Sequence, residues 1–359
     1  MNRPDRNRPS HRPCNGEEQP PPPGNARRRP SGRVTLDEVA QRARVSTMTV
    51  SRALRDPSLV SPSVLERVQA AVAELGYIPN RAARTLASAR SKLIGVLVPS
   101  LSNAVFVETI AAVQDCVGPA GYQLLIGNTG YSPARQAELL SAYLSHAPDG
   151  FLVAGIDNSN AVRRQLAAAN VPLVHMFDLV PGKEGSVGFS QRRAGFAIGA
   201  HLVERGARRP AFLAAQLDPR TMQRRAGFRR ALRAAGLDAS LEALTEDPSD
   251  AAVGSRLLRE LLEKAPDCDA VFCCNDDLAL GVLFECRRRA IAVPEELAVV
   301  GFNDLPFAAV SSPSITTVAT PRYAIGFEAA RMLLQIINDE APAKRRIDLG
   351  FELVVRESA

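Results

Sequence analysis

A small all-α head followed by an α/β core of two parallel-sheet subdomains is the fold this sequence predicts. From Thr35 to about Gly76 apolar residues recur at helical spacing, with no strand-like run among them. Beyond Leu93 short apolar runs alternate with amphipathic stretches, the pattern of parallel strands connected by helices. The chain's 359 residues also exceed what one ordinary core holds, so two or three compact units are expected.

Composition narrows the class. At 46% hydrophobic and 23% charged, the chain has the balance of a globular protein with a sizeable core. Tryptophan is absent and aromatics are 5%, so that core must be mainly Ala, Val, Leu and Ile. No apolar stretch approaches the roughly 20 residues of a membrane span. The N-terminus lacks the apolar centre of a secretion signal, and a reducing cytoplasm is the expected compartment. A net charge of +6 suits a polyanionic partner, since Lys and Arg release counterions from phosphate backbones, although many basic proteins never touch nucleic acid. The six cysteines (Cys14, Cys116, Cys268, Cys273, Cys274, Cys286) show neither C-x-x-C spacing nor nearby histidines. They read as reduced thiols, with no metal or other cofactor implied.

Residues 1–32 mix Pro, Arg, Asn and Gly, with Pro20–Pro23 and Arg27–Arg29 consecutive. Such a segment buries too little apolar surface to offset its ordering entropy and is expected to be disordered. It is either a solvated leader or a basic arm adding non-specific affinity for DNA.

The head, residues 33–78, reads as a helix-turn-helix. Thr35 and Glu38 form a capping box, after which Leu36, Val39, Ala40 and Ala43 share one face. The turn Arg44-Val45 leads to a second cap, Ser46, and a helix whose Val50, Ala53 and Leu54 point back at the first. Thr47, Met48, Thr49, Ser51 and Arg52 are left outward, the small polar face plus arginine that a recognition helix needs. A third helix, from about Ser61 to Glu74, closes the core with Val64, Val68, Ala71 and Val72. Residues 79–92 follow as a hinge and linker. Pro79–Ala87 would be a helix of about two turns, too short to be stable alone, so it needs something to order it or is a plain linker.

Residues 93–359 carry the alternating pattern. Strand-like runs fall at 93–99, 122–127, 150–154, 171–176, 209–214, 270–274 and 297–301. Helical patterns include 133–146, 160–170, 221–235, 251–264 and 276–289. So many units exceed one sheet, which implies two subdomains and a cleft lined by loops beyond the carboxyl ends of the strands. Ser100, Asn103, Phe106, Asp178, Asn275, Asp276 and Asn303 fall on such loops, where each polar residue could equally be a surface group or a helix cap.

Four fragments resemble the LacI family in order and spacing: Val34-Thr35-Leu36-Asp37-Glu38-Val39-Ala40, Val45-Ser46, Thr49-Val50-Ser51-Arg52 and Gly76-Tyr77-Ile78-Pro79-Asn80. Thr47-Met48-Thr49-Val50-Ser51-Arg52, Asn275-Asp276-Asp277-Leu278-Ala279 and Asp348-Leu349-Gly350-Phe351 look like its gluconate-operon repressor branch. The resemblance implies a repressor that binds double-stranded operator DNA as a homodimer and is not an enzyme. It implies base-edge readout by Thr47, Met48 and Arg52, and phosphate contacts from Thr35, Ser46, Thr49, Ser51 and Asn80. Leu86 would wedge between base pairs in the minor groove with Ala83 beside it. One departure is Arg44, where the family's turn commonly has glycine.

The core is expected by the same resemblance to be like periplasmic sugar-binding proteins. Crossovers are placed near 178–185, 316–320 and 346–350. Subdomain one is then about 93–178 plus 320–346, and subdomain two about 179–319 plus 347–357. Arg224 matches the family's effector-binding basic residue. Asn303 stands where many sugar-binding members carry aspartate, and a neutral amide beside a retained arginine favours a sugar acid, gluconate or a close relative. The alternatives are a same-fold regulator of a neutral sugar or purine, and a sugar-acid enzyme. The enzyme is disfavoured by the absence of G-x-x-x-x-G-K-[ST], H-E-x-x-H and G-x-S-x-G. No heptad pattern follows the core, so a dimer rather than a coiled-coil tetramer is expected.

Overall fold

A computed structural model of the chain describes residues 34–78, 90–155, 160–182 and 184–359. The chain divides into two compact units, 1–81 and 82–359.

The first unit contains α1 (Leu36–Ala43), α2 (Thr47–Arg55) and α3 (Pro62–Leu75). The capping box is formed: the Glu38 N–H donates to Thr35 Oγ1 at 3.3 Å, and the Thr35 N–H donates to Glu38 Oε2 at 2.6 Å. Ser46 Oγ accepts from the Thr49 N–H at 3.1 Å and starts α2. Pro62 occupies the first turn of α3, where its missing N–H costs nothing, and left-handed Gly76 ends it. Val39, Val50 and Val68 are completely buried, one from each helix, with alanines filling between them. Arg44 adopts φ 53°, ψ 48°, the left-handed region that its place in the turn demands.

The second unit runs β1 (Leu93–Val98), α4 (Ala104–Val117), β2 (Gln123–Asn128), α5 (Pro133–Leu144), β3 (Gly150–Ala154), α6 (Asn160–Ala169), β4 (Leu173–Phe177) and β5 (Gly185–Gly188). Then come α7 (Gln191–Glu204), β6 (Pro210–Ala214), α8 (Pro219–Ala234), β7 (Glu242–Leu244), α9 (Ala251–Lys264), β8 (Ala270–Cys273) and α10 (Asp276–Arg289). β9 (Ala298–Val300), α11 (Pro306–Val310), β10 (Thr317–Ala319), α12 (Arg322–Ile337), β11 (Arg346–Asp348) and β12 (Glu352–Val354) complete it. One sheet has the order β11-β5-β4-β3-β1-β2, a second β7-β6-β8-β9, and every pairing within both is parallel. β10 and β12 form an antiparallel pair of their own. The expected two-sheet α/β core is present.

The subdomain limits need correction. β5 pairs with β4, and β11 pairs with β5 at the sheet's edge, so both belong to the first sheet, not to subdomain two. The chain therefore crosses after Gly188 rather than within 178–185, and leaves the first sheet for the last time after Asp348. The reason is packing. A Cβ on Gly188 would come within 2.5 Å of the Phe177 carbonyl carbon, and one on Gly185 within 2.6 Å of Met332 Sδ. A strand squeezed this tightly carries too few apolar side chains to show in a hydrophobic pattern.

The described cysteines other than half-buried Cys116 are all buried, and none is in a disulfide. Among the described residues no helix is long and apolar enough to cross a membrane.

Candidate functional site

On the head, α2 presents Met48, 64% exposed, with Ser51 and Arg52 also on the solvent side. Thr47 and Thr49 are half-buried, and the Thr49 hydroxyl lies 2.9 Å from that of Ser46. Both the N–H and the hydroxyl of Thr35 are engaged by Glu38. The surface is thus small polar groups, one flexible thioether and one arginine, held rigidly by caps at the front of both helices. Asn80, Ala83 and Leu86 lie outside the described residues.

In the core, loops beyond the carboxyl ends of strands from both sheets line a partly open cavity, with about 520 Å³ of empty space counting the solvent at its mouth. Asn103, Phe106, Arg224, Asn275 and Asn303, all expected at a cleft, line it. An adjoining cavity is lined by Asp178, Thr129, Ser132 and Gln136, and the two share Tyr131, Asp218 and Arg220.

Two expected residues are elsewhere. Ser100 lines neither cavity; its hydroxyl accepts the N–H groups of Ser102 and Asn103 at 3.2 Å each, shaping the turn into α4. Asp276 is completely buried: Oδ2 accepts from the Leu305 N–H at 2.7 Å and Oδ1 from the Thr317 hydroxyl at 2.6 Å. Asp276 ties α10 to the loop after β9 and to β10, while its neighbour Asn275 caps α10 and faces the cavity.

The residues that do converge differ in how they are held. Asn103 caps α4 through the Val105 N–H at 3.0 Å. Phe106 packs edge-on against Phe177, ring centres 5.6 Å apart, rather than offering an open face. Arg224 donates from Nε to Gln191 Oε1 at 2.8 Å and from Nη1 to the Cys274 carbonyl at 2.6 Å, and its guanidinium lies 3.8 Å over the Phe302 ring. Gly195 and Gly227 make this possible. A Cβ on either would strike the backbone of the opposite helix at about 2 Å, so α7 and α8 nest and Gln191 reaches Arg224. Asn303 is left-handed, at φ 108°, 8% exposed, with its amide on the cavity.

Arg220, Asp218, Tyr131 and Gln191 were not anticipated. Asp218-Pro219 is a cap and first-turn proline just after a strand, a signal that could have placed a helix start at the cleft, though it gives no reason to single out Arg220. Burial works against the Arg220 charge, yet Asp218 and Asp178 outweigh it and hold its pKa above the ordinary value. Burial also opposes ionisation of Asp218, but Arg220, Arg224 and the Thr221 N–H keep its carboxyl below the usual range. Asp178 lacks such support. Burial lifts it to about 6 against the pull of Arg220, and its Oδ2 has no partner among the described residues. For Arg224, desolvation dominates and lowers the pKa.

Comparison with known proteins extends this picture. Residues 35–80 match the bacterial regulatory proteins of the lacI family, and residues 200–359 match the periplasmic binding protein-like domain. The chain is 48% identical over 332 residues to the HTH-type transcriptional regulator GntR of Pseudomonas aeruginosa, covering 92% of this chain and 97% of that one. It is 37% identical over 322 residues to the regulator GntR of Escherichia coli, covering 89% and 97%. The crystal structure of transcription regulator GntR from Chromobacterium violaceum superposes with a TM-score of 0.73 at 50% identity, covering 74% of this chain and 98% of that one. The lac repressor dimer bound to operator and the anti-inducer ONPF gives 0.80 at 28% identity, covering 91% and 99%.

Proposed function

The chain belongs to the LacI family of DNA-binding transcription regulators, and on that premise we propose that it represses sugar-acid utilisation genes and leaves its operator when gluconate, or a close relative, fills the core cleft. The observation that carries the effector reading is the cleft's charge. Two arginines, buried Arg220 and half-buried Arg224, line it beside a neutral Asn303, and among the described residues Asp218 is the one acidic group on the main cavity. A neutral sugar or a purine has no anionic group for this pair.

The protein acts as a cytoplasmic homodimer on an imperfect palindrome. Arg52, with Thr47 and Met48, reads base edges, and Ser46, Thr49, Ser51, Thr35 and Asn80 hold phosphates. Leu86, flanked by Ala83, kinks the minor groove. Effector binding changes the angle between the subdomains, and with it the spacing of the paired hinges, so operator affinity falls.

Binding of the purified protein to its own upstream DNA, with and without gluconate, tests this. A sequence-specific complex lost on adding gluconate is expected. A specific complex indifferent to every sugar acid but released by a neutral sugar or purine would replace the effector assignment. A Leu86→Ala variant with wild-type operator affinity would remove the wedge.

A further inference from the structure

Arg220 and Arg224 both border the cleft, but their donors are differently spent. Arg224 is committed to Gln191, the Cys274 carbonyl and the Phe302 ring, contacts that lock α8 onto α7 and β8. Among the described residues, Arg220 has a single hydrogen-bond partner, Asp218, at 3.1 Å through Nη2. Its guanidinium lies 5.8 Å and 5.9 Å from the ring centres of Phe106 and Phe177, contacts that consume no N–H groups. Its side chain is only 8% exposed, and it lines both cavities at their junction. Asp178, whose Oδ2 has no hydrogen-bond partner among the described residues, lines the second of these cavities.

We propose that Arg220, not Arg224, receives the effector's carboxylate, while Asp178 accepts a hydroxyl of the same molecule in the adjoining cavity. The assignment rests on the sugar-acid reading above and deepens it. A planar guanidinium with spare parallel donors binds a carboxylate bidentately. A buried acceptor without a partner selects a ligand that carries hydroxyl groups beside its acid. The ligand class this pair fits is a polyhydroxy monocarboxylate, with the acid at Arg220 and the polyol chain toward Asp178, Thr129 and Gln136. Arg224 then acts as a positioning residue for α8.

Calorimetric titration of the full chain with gluconate and with the neutral polyol glucitol tests the assignment. Arg220→Gln is expected to lose about 10- to 100-fold in gluconate affinity, the scale of a lost charge-assisted pair, with little change for glucitol. Arg220→Lys, which keeps the charge but not the fork, should fall in between. Circular dichroism and the denaturant midpoint of each variant, compared with the wild type, check that the core is folded. Arg220→Gln within threefold of wild type for gluconate, with Arg224→Gln losing it, overturns the assignment. Failure of the wild type to bind any sugar acid overturns the effector reading itself, and this assignment with it.

Discussion

The guanidinium of Arg322, at the start of α12, donates to the backbone carbonyl of Asn303, so one side chain joins the first subdomain to a cleft residue of the second. The same guanidinium is held by Glu108 of α4, Nε to Oε2 at 2.7 Å. α4 also carries Asn103 and Phe106 on the opposite wall of the cavity. Asn303 has a strained backbone at φ 108°, and the next residue, Asp304, is left-handed too and paired with Arg356 at 2.7 Å. A loop with this strained backbone, tied across the cleft by an arginine, is placed to respond to what fills the cleft.

Arg322→Ala should therefore separate binding from response. Gluconate affinity is expected to stay within a few-fold, because Arg322 does not line the cavity. The ratio of operator affinities without and with gluconate should shrink by about fivefold or more, a sizeable part of an ordinary coupling energy. Anisotropy titration of labelled operator at zero and saturating gluconate measures this. An unchanged ratio would show that the coupling runs elsewhere.

Asp276 gives a stability prediction. Removing its carboxylate leaves the buried Leu305 N–H and Thr317 hydroxyl without acceptors. Asp276→Ala should destabilise the core by roughly 2–4 kcal/mol, one desolvation penalty for each orphaned donor. Denaturant unfolding followed by circular dichroism measures it. A core that unfolds at the wild-type denaturant concentration would contradict the anchoring role.

Much of this arrangement was legible in the sequence and some of it was not. Capping boxes and apolar faces are local, so Thr35, Ser46 and the three head helices could be located to within a residue or two. Asn103, Arg224, Asn275 and Asn303 could be placed at the cleft because strand ends and family motifs mark them. Asp276 could not be told from Asn275: adjacent residues at a helix start point opposite ways, and only the fold decides which faces ligand. β5 was lost because close packing had replaced apolar side chains with Gly185 and Gly188, and β11 because it is a three-residue edge strand with exposed Arg346 and Asp348 around a single apolar residue. Arg220 was one of many arginines on α8 until burial and pairing distinguished it.

Asp178 makes the core pH-sensitive. Burial places its folded pKa at about 6, above the ordinary 3.8, with Arg220, His175 and Arg224 opposing the shift and Asp218 adding to it. The folded state thus holds the proton more tightly than the unfolded state. That stabilisation is complete below about pH 4 and is lost as pH rises through about 6. Asp178→Asn should accordingly gain on the wild type by roughly 3 kcal/mol between about pH 4 and 6, at about 1.4 kcal/mol per pH unit of the shift, with the gap level above that range. Denaturant midpoints of both proteins across that range decide it. A gap that does not widen with pH would mean that the carboxyl is solvated.

Arg44 offers a gain rather than a loss. It is a non-glycine residue at φ 53°, and its N–H still closes α1 onto Gln41 at 3.2 Å. Glycine relieves a left-handed position of roughly 1 kcal/mol, partly offset by its freedom in the unfolded chain. Arg44→Gly should stabilise the head by about 0.5–1 kcal/mol, seen as slower amide exchange at Val39 and Val50. Faster exchange would show that the arginine side chain supports the turn.

Arg52 tests readout on the head. Its side chain projects from the solvent face of α2, while Val50 and Ala53 beside it are buried. If it forks onto guanine, Arg52→Ala should cost about 1–3 kcal/mol of operator affinity and relax preference at one base pair of each half-site. The variant should keep a salt dependence close to that of the wild type, because phosphate contacts set most of that slope. Operator variants titrated at several salt concentrations separate the two roles. A uniform loss across all sequences, with a shallower salt slope, would reassign Arg52 to the phosphate backbone and leave Thr47 and Met48 to carry the specificity.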